Sequence, residues 1–190
     1  MKLRDELVQY YRWLRQYGLN DSHSGNVSVR NGDKVWITPT GACADTLVPA
    51  ELIKCRMHRP PTEGASLDAA LHLAVYARNP KAQVLIHSHV PYTVALTLRG
   101  GDFIPLDFEG QHYFKRIAVI DIPYAEYVSQ APALVADALT SLSLVVVRGH
   151  GLYVQAETLN LAYKWSCSVE LSAKIALLAQ TRNMGQLPES

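Results

Sequence analysis

Apolar residues near the start of the chain recur every three to four positions. Leu7, Tyr10, Tyr11 and Leu14 share one face of a helix expected from about Leu3 to Tyr17, and Gly18 ends it. The period then shortens to two. "NVSVR" and "KVWIT" read as strands, and the "NGD" between them is a hairpin turn. Helical spacing returns in "ASLDAALHLAVYARNP", with Ser66 placed to cap the start and Pro80 just past the end. "AQVLIHSH" is a strand, "PYTVALTLRGG" a short helix, "RIAVIDIPY" a strand and "SQAPALVADALTSL" a helix. "SLVVVRGHGLYVQ" supplies one or two strands, and "TLNLAYKWSCSVELSAKIALLAQTRNMG" a long last helix. The closing "QLPES" is expected to fray. Helices and strands interleave around what must be one sheet, which makes the class α/β. No repeat, low-complexity tract or linker divides residues 1–190, so a single domain is expected.

Composition narrows the partners. With 48% hydrophobic and 18% charged residues the chain is globular rather than disordered. A net charge of +1 gives no electrostatic reason to bind nucleic acid or an anionic membrane. No apolar run approaches the roughly 20 residues that span a bilayer. The charged, helix-patterned start lacks the apolar centre of a signal peptide. Cys43, Cys55 and Cys167 are scattered with no metal-type spacing, which fits reduced thiols in a cytoplasmic protein.

The chemistry begins at "VLIHSH". Side chains two apart on a strand point the same way, so His87 and His89 converge while Ser88 faces away. Two neutral imidazoles suit a borderline metal such as zinc, although a lone histidine at a strand end is more often just packed or solvated. A catalytic zinc takes three protein ligands and leaves a position open. His150 closes the apolar run "LSLVVV" between Gly149 and Gly151, whose small size allows close backbone approach. Sites in open α/β sheets gather at strand ends, so His87, His89 and His150 form a His₃ candidate, with His23 and His72 left outside. Two loops could hold an oxyanion: Ser24, Gly25 and Asn26 before one strand, and Thr38, Thr40 and Gly41 after another. The helix start near Ser66 would add its dipole. Such compositions are also those of ordinary turns.

"SGNVSVR", "ITPTG", "DAALHLAVYARNP", "VLIHSH" and "RGHGLY", in this order, resemble the class II aldolase and adducin head family. The resemblance runs from about Leu3 to Ala179. It implies an αβα sandwich with a central, mostly antiparallel sheet, and a zinc or other divalent ion on His87, His89 and His150. It further implies a sugar phosphate as substrate, with the phosphate held by Ser24, Gly25, Asn26, Thr40, Gly41 and Ser66. A homo-oligomer is implied too, a ring-shaped tetramer with active sites at subunit interfaces. Where the family often has two serines before its acidic residue, this chain reads Ser66-Leu67, so that grip is reduced or the substrate's tail differs.

The acidic residue itself is Asp68. In the aldolases a Glu commonly stands there, able to ligate zinc in the resting enzyme and to act as base. Asp is one methylene shorter and would fall about 1 Å short, a displacement that can cost about 10²-fold. Asp68 could instead simply stabilise the helix start. Glu109, in "IPLDFEGQHYF", stands near a position that carries a Glu in the dehydratase branch, and is either a second acid/base or a surface charge in a loop. Aldolases that extend past the last helix can supply a tyrosine, and here none follows Tyr163. The resemblance thus implies a lyase that cleaves or forms a C–C bond in a ketose 1-phosphate through an enediolate. The alternatives are a dehydratase of the methylthioribulose-1-phosphate type, a non-catalytic adducin-like module that would normally have lost the histidines, and a non-haem iron oxygenase using His87, His89 and Asp68.

Overall fold

The computed structural model describes residues 3–184, with no account of side chains from 181 onward. The final "QLPES" lies outside the described residues. Among the described residues six α-helices and seven strands follow in the order α1 (Leu3–Gln16), β1 (Asn26–Asn31), β2 (Lys34–Ile37), β3 (Ile53–Arg56), α2 (Ala69–Arg78), β4 (Val84–Ser88), α3 (Pro91–Thr97), α4 (Phe108–Tyr113), β5 (Val119–Ile120), α5 (Tyr127–Ala138), β6 (Leu144–Val147), β7 (Gly151–Ala156) and α6 (Leu159–Met184). A 3₁₀ turn at Tyr124–Glu126 leads into α5.

The strands make one sheet in the order β3-β2-β1-β4-β7-β6-β5. Every neighbouring pair is antiparallel except β5 with β6. Alternation then sorts the core into two layers. Val84 and Ile86 of β4, with Leu152 and Val154 of β7, face α1 and α6. Leu85 of β4, with Val145 of β6 and Tyr153 of β7, faces α2 and α5. The fold is an αβα sandwich with a mostly antiparallel sheet. Among the described residues no helix is long and apolar enough to cross a membrane. All three cysteines are free thiols.

Three local expectations differ from what the chain does, and two short elements go beyond them. α2 starts at Ala69 with Asp68 at its N-cap position, not Ser66; the Ser66 hydroxyl accepts the Asp68 N–H in the turn before the helix. "RIAVIDIPY" gives only a two-residue strand, because Pro123 cannot donate to a ladder and the chain turns there into 3₁₀. α5 begins two residues before the expected Ser129 and stops at Ala138. β3 and α4 leave no mark in the hydrophobic pattern. β3 is an edge strand of four residues with only Cys55 buried, and α4 is a single turn and a half containing Gly110, capped by Asp107 accepting the Gly110 N–H at 2.9 Å.

A polar cluster lies inside the α2 layer. His72 is fully buried, with its Nδ1 2.6 Å from the Ser28 hydroxyl, which in turn lies 2.7 Å from the Tyr76 hydroxyl. Burial pushes the His72 imidazole down to about 4, against an opposing pull from Asp68. Unfolded chain binds that proton from about pH 6.5 downward, whereas the folded chain does so only near pH 4, so stability falls as pH drops through that window. Urea unfolding of the metal-free protein is expected to lose about 3 kcal/mol between pH 7 and pH 4 on account of His72. His72→Gln, which cannot titrate, should show a shallower decline; an equal decline would assign the loss to other groups.

Candidate active site

β4 and β7 build the metal-type end of the site. Their antiparallel register sets His87 opposite Tyr153, and the two rings stack at 4.2 Å with planes 5° apart. His89 stands one residue beyond the end of β4, and His150 in the turn between β6 and β7. That turn can close over β4 only because residue 151 is glycine: a Cβ there would sit 2.4 Å from the Ser88 carbonyl oxygen and 2.9 Å from the His87 ring. The loop before β1 makes a similar approach at Gly25, whose φ is +67° and whose Cβ would lie 2.6 Å from the His87 carbonyl oxygen.

Donor nitrogens of His87, His89 and His150 all lie within 4.8 Å of one another. A point within about 2.8 Å of all three therefore exists, and each ring would move by under about 1 Å to reach a zinc–nitrogen bond of about 2.0–2.1 Å. The chemistry of the donors agrees. His87 Nδ1 donates to the Leu152 carbonyl oxygen at 3.2 Å, which fixes the tautomer and leaves Nε2 as a lone pair. That Nε2 is buried without a hydrogen-bond partner, as is Nδ1 of His150. Burial pushes His87 down to about 3, Asp68 opposing, and burial likewise lowers His89 and His150. All three rings are neutral at neutral pH, as metal binding requires.

Beside the imidazoles sits Asp68, only 7% exposed. Its side chain makes no cap bond to α2 and turns to the site instead. Oδ1 accepts from the Tyr127 hydroxyl at 2.7 Å; Oδ2 accepts from the Asn26 amide at 2.9 Å and the Tyr153 hydroxyl at 3.2 Å, and lies 4.0 Å from His87 Nε2. Burial alone would raise this carboxyl, but the His87 ring, the Asn26 amide and the Tyr127 hydroxyl outweigh it, so the group is held below its ordinary value and stays ionised. Burial and the Asp68 charge push both tyrosine hydroxyls upward, so they remain donors.

A cleft of about 270 Å³ joins this end to the hydroxyl and glycine loops. Ser24, Gly25, Asn26, Thr40, Gly41, Ser66 and Asp68 line it together with all three imidazoles. Leu67 also lines it, 69% exposed. Glu109 does not: it lies exposed on α4, a helix that packs against α6. Three residues of the site are not evident from the sequence. His23, expected outside the site, lines the cleft, in a loop after α1 that is tied to the end of β4 through Asn20 and Leu19. Tyr127 and Tyr153 meet on Asp68 and hydrogen-bond to each other. Tyr153 leaves a signal, a polar-tipped aromatic within an apolar strand; Tyr127 leaves none.

Residues 5–177 match the family model for the class II aldolase and adducin N-terminal domain. The chain belongs to that family. The solved structure of L-fuculose-1-phosphate aldolase from Thermus thermophilus superposes with a TM-score of 0.89 at 31% identity, covering 97% of each chain. The 5-deoxy-D-ribulose 1-phosphate aldolase of Bacillus thuringiensis serovar kurstaki is 25% identical over 200 residues, 99% of this chain and 91% of that one. A 3-oxo-tetronate 4-phosphate decarboxylase from Cupriavidus necator is 37% identical over 101 residues, which are 52% of this chain and 46% of the relative. Family membership therefore comes with relatives named as aldolases and a decarboxylase of phosphorylated compounds, and the His₃ cluster could hold a metal ion.

Metal-stripped protein titrated with Zn²⁺ is expected to take up one tightly held ion per chain. His87→Ala, His89→Ala and His150→Ala should each abolish that tight phase, whereas His23→Ala should keep it. Tight binding that survives all three triad substitutions would place the ion elsewhere.

Proposed function

We propose that this protein is a metal-dependent lyase that cleaves or forms a C–C bond in a ketose 1-phosphate. The observation that supports it is the single cleft: three neutral imidazoles and a buried carboxylate at one end, hydroxyl and glycine loops at the other. A divalent ion, zinc by its preference for imidazole, would polarise the substrate's carbonyl and stabilise the negative charge left by bond cleavage. The loops of Ser24, Gly25, Asn26, Thr40, Gly41 and Ser66 would hold the phosphate and so fix the distance from phosphate to carbonyl. Asp68, ionised and beside the ligands, takes the substrate's hydroxyl proton. Its partners Asn26, Tyr127 and Tyr153 keep it aimed.

Decarboxylation is the second reading, favoured by the identity to the Cupriavidus necator enzyme. The two reactions share the same charge on the same carbon and differ in what leaves. Dehydration would call on a further acid/base, the part assigned to Glu109. A tetramer with sites at subunit interfaces is the arrangement in which Glu109 could act, on a neighbouring chain's cleft. It would also cover the exposed Leu106 and Phe108 beside it. We place such an oligomer in the cytoplasm, and sedimentation at micromolar concentration should report four chains.

Incubation with a panel of ketose 1-phosphates should release dihydroxyacetone phosphate, and 3-oxo acid phosphates should release no carbon dioxide. The reverse result selects the decarboxylase, and a dehydrated diketone selects the dehydratase. Asp68→Asn should lower kcat by about 10²–10⁴-fold while the metal stays bound. Glu109→Gln should cost less; if it abolishes turnover and Asp68→Asn is mild, the assignment of the base to Asp68 fails.

A further inference from the structure

β4 ends at Ser88 and α3 begins at Pro91, so His89 and Val90 alone carry the chain from sheet to helix. Val90 does so at φ +25° and ψ 79°. It is β-branched and precedes a proline, and both features disfavour that conformation. A turn of this kind persists only where its surroundings hold it.

The holding is complete. The His89 N–H donates to Asn20 Oδ1 at 2.8 Å, and the Val90 N–H to the Leu19 carbonyl oxygen at 2.9 Å. Pro91 has no N–H. The next two donors both go to one carboxylate, the Tyr92 N–H to Glu170 Oε1 at 2.9 Å and the Thr93 N–H to Glu170 Oε2 at 2.9 Å, with the Thr93 hydroxyl adding a bond of 2.8 Å. Val90 occupies the N-cap position but has no side-chain oxygen to cap with. The cap comes instead from α6, 77 residues beyond Thr93. Glu170 is only 8% exposed and is not among the residues lining the metal cleft.

We propose that Glu170 is a positioning residue: by capping α3 from α6 it holds the strained Val90 turn and so aims the His89 imidazole at the metal. The inference rests on His89 being a metal ligand, as in the proposed function. A glutamate that only stabilised α3 would have no bearing on the imidazole. Asn20 fixes the near side of the same turn, and Glu170 the far side.

The test is a double-variant cycle on the full chain. Glu170→Gln keeps the shape but turns an amide N–H₂ toward a donor it cannot accept. Zn²⁺ affinity of metal-stripped protein, read by competition with a chromogenic chelator well below the melting temperature, should fall about 10–100-fold. Val90→Gly removes the Cβ that makes positive φ costly. Added to Glu170→Gln, it should return the affinity toward that of Val90→Gly alone, even though lost packing lowers the melting temperature further. Amide hydrogen exchange of the metal-free protein gives a second readout: exchange at His89 should quicken in Glu170→Gln and slow again in the double variant. Unchanged affinity in Glu170→Gln, or a double variant that binds no tighter than Glu170→Gln, overturns the proposal. If the wild-type chain binds no divalent ion, the metal reading itself fails; unchanged exchange at His89 would then overturn the turn-holding role on its own.

Discussion

The site hangs from the pairing of His87 with Tyr153 across β4 and β7. That one cross-strand pair stacks an imidazole on a phenol, and three residues upstream on the β7 side it sets His150 against the same ring system. The phenol's hydroxyl then reaches Asp68 on the adjoining helix layer. β1 adds the other edge: Asn26 lies opposite His87 on its far side and donates to the same carboxylate. A slip of one residue in either ladder would turn these side chains to the α6 face. The register is therefore what joins a nitrogen-rich end to an anion-type end.

Electrostatics explains why the cluster can be buried. An isolated carboxylate at this depth would take up a proton. Here it receives an amide and two phenol donors, and the neighbouring imidazoles stay uncharged. The result is a net negative pocket beside three imidazole lone pairs, a charge arrangement that could hold a cation. The shorter side chain at position 68 is matched by two tyrosine hydroxyls that extend the polar network from the opposite side. The leucine at position 67 leaves an exposed apolar edge at the cleft.

Much of this is legible in the sequence. α1 and α2 announce themselves through a helical period, and β1, β2, β4 and β7 through alternation or apolar runs. The histidine trio is legible because strand geometry alone aligns residues two apart, and because glycines on both sides of His150 point to a close approach. β3, α4 and the brevity of β5 are not, since four-, six- and two-residue elements carry too few positions to show a period. The tyrosines on Asp68 are hidden for another reason. Tyr127 and Tyr153 lie 59 and 85 residues away from it in the chain, and only the packing of α2 and α5 on one sheet face brings them together. The strained turn at Val90 is likewise invisible, as its support comes from a distant helix.

The distance in sequence between His89 and His150 also sets a schedule for the nascent chain. Roughly sixty residues separate them, so at about 5–20 residues per second a ribosome needs several seconds to deliver the third imidazole after the second. During that interval His87 and His89 stand without His150, and without β7 to fix the tautomer of His87. If the three imidazoles hold an ion as proposed, its capture would wait until the sheet's middle has closed, and a metal ion would meet a finished pocket rather than a growing strand.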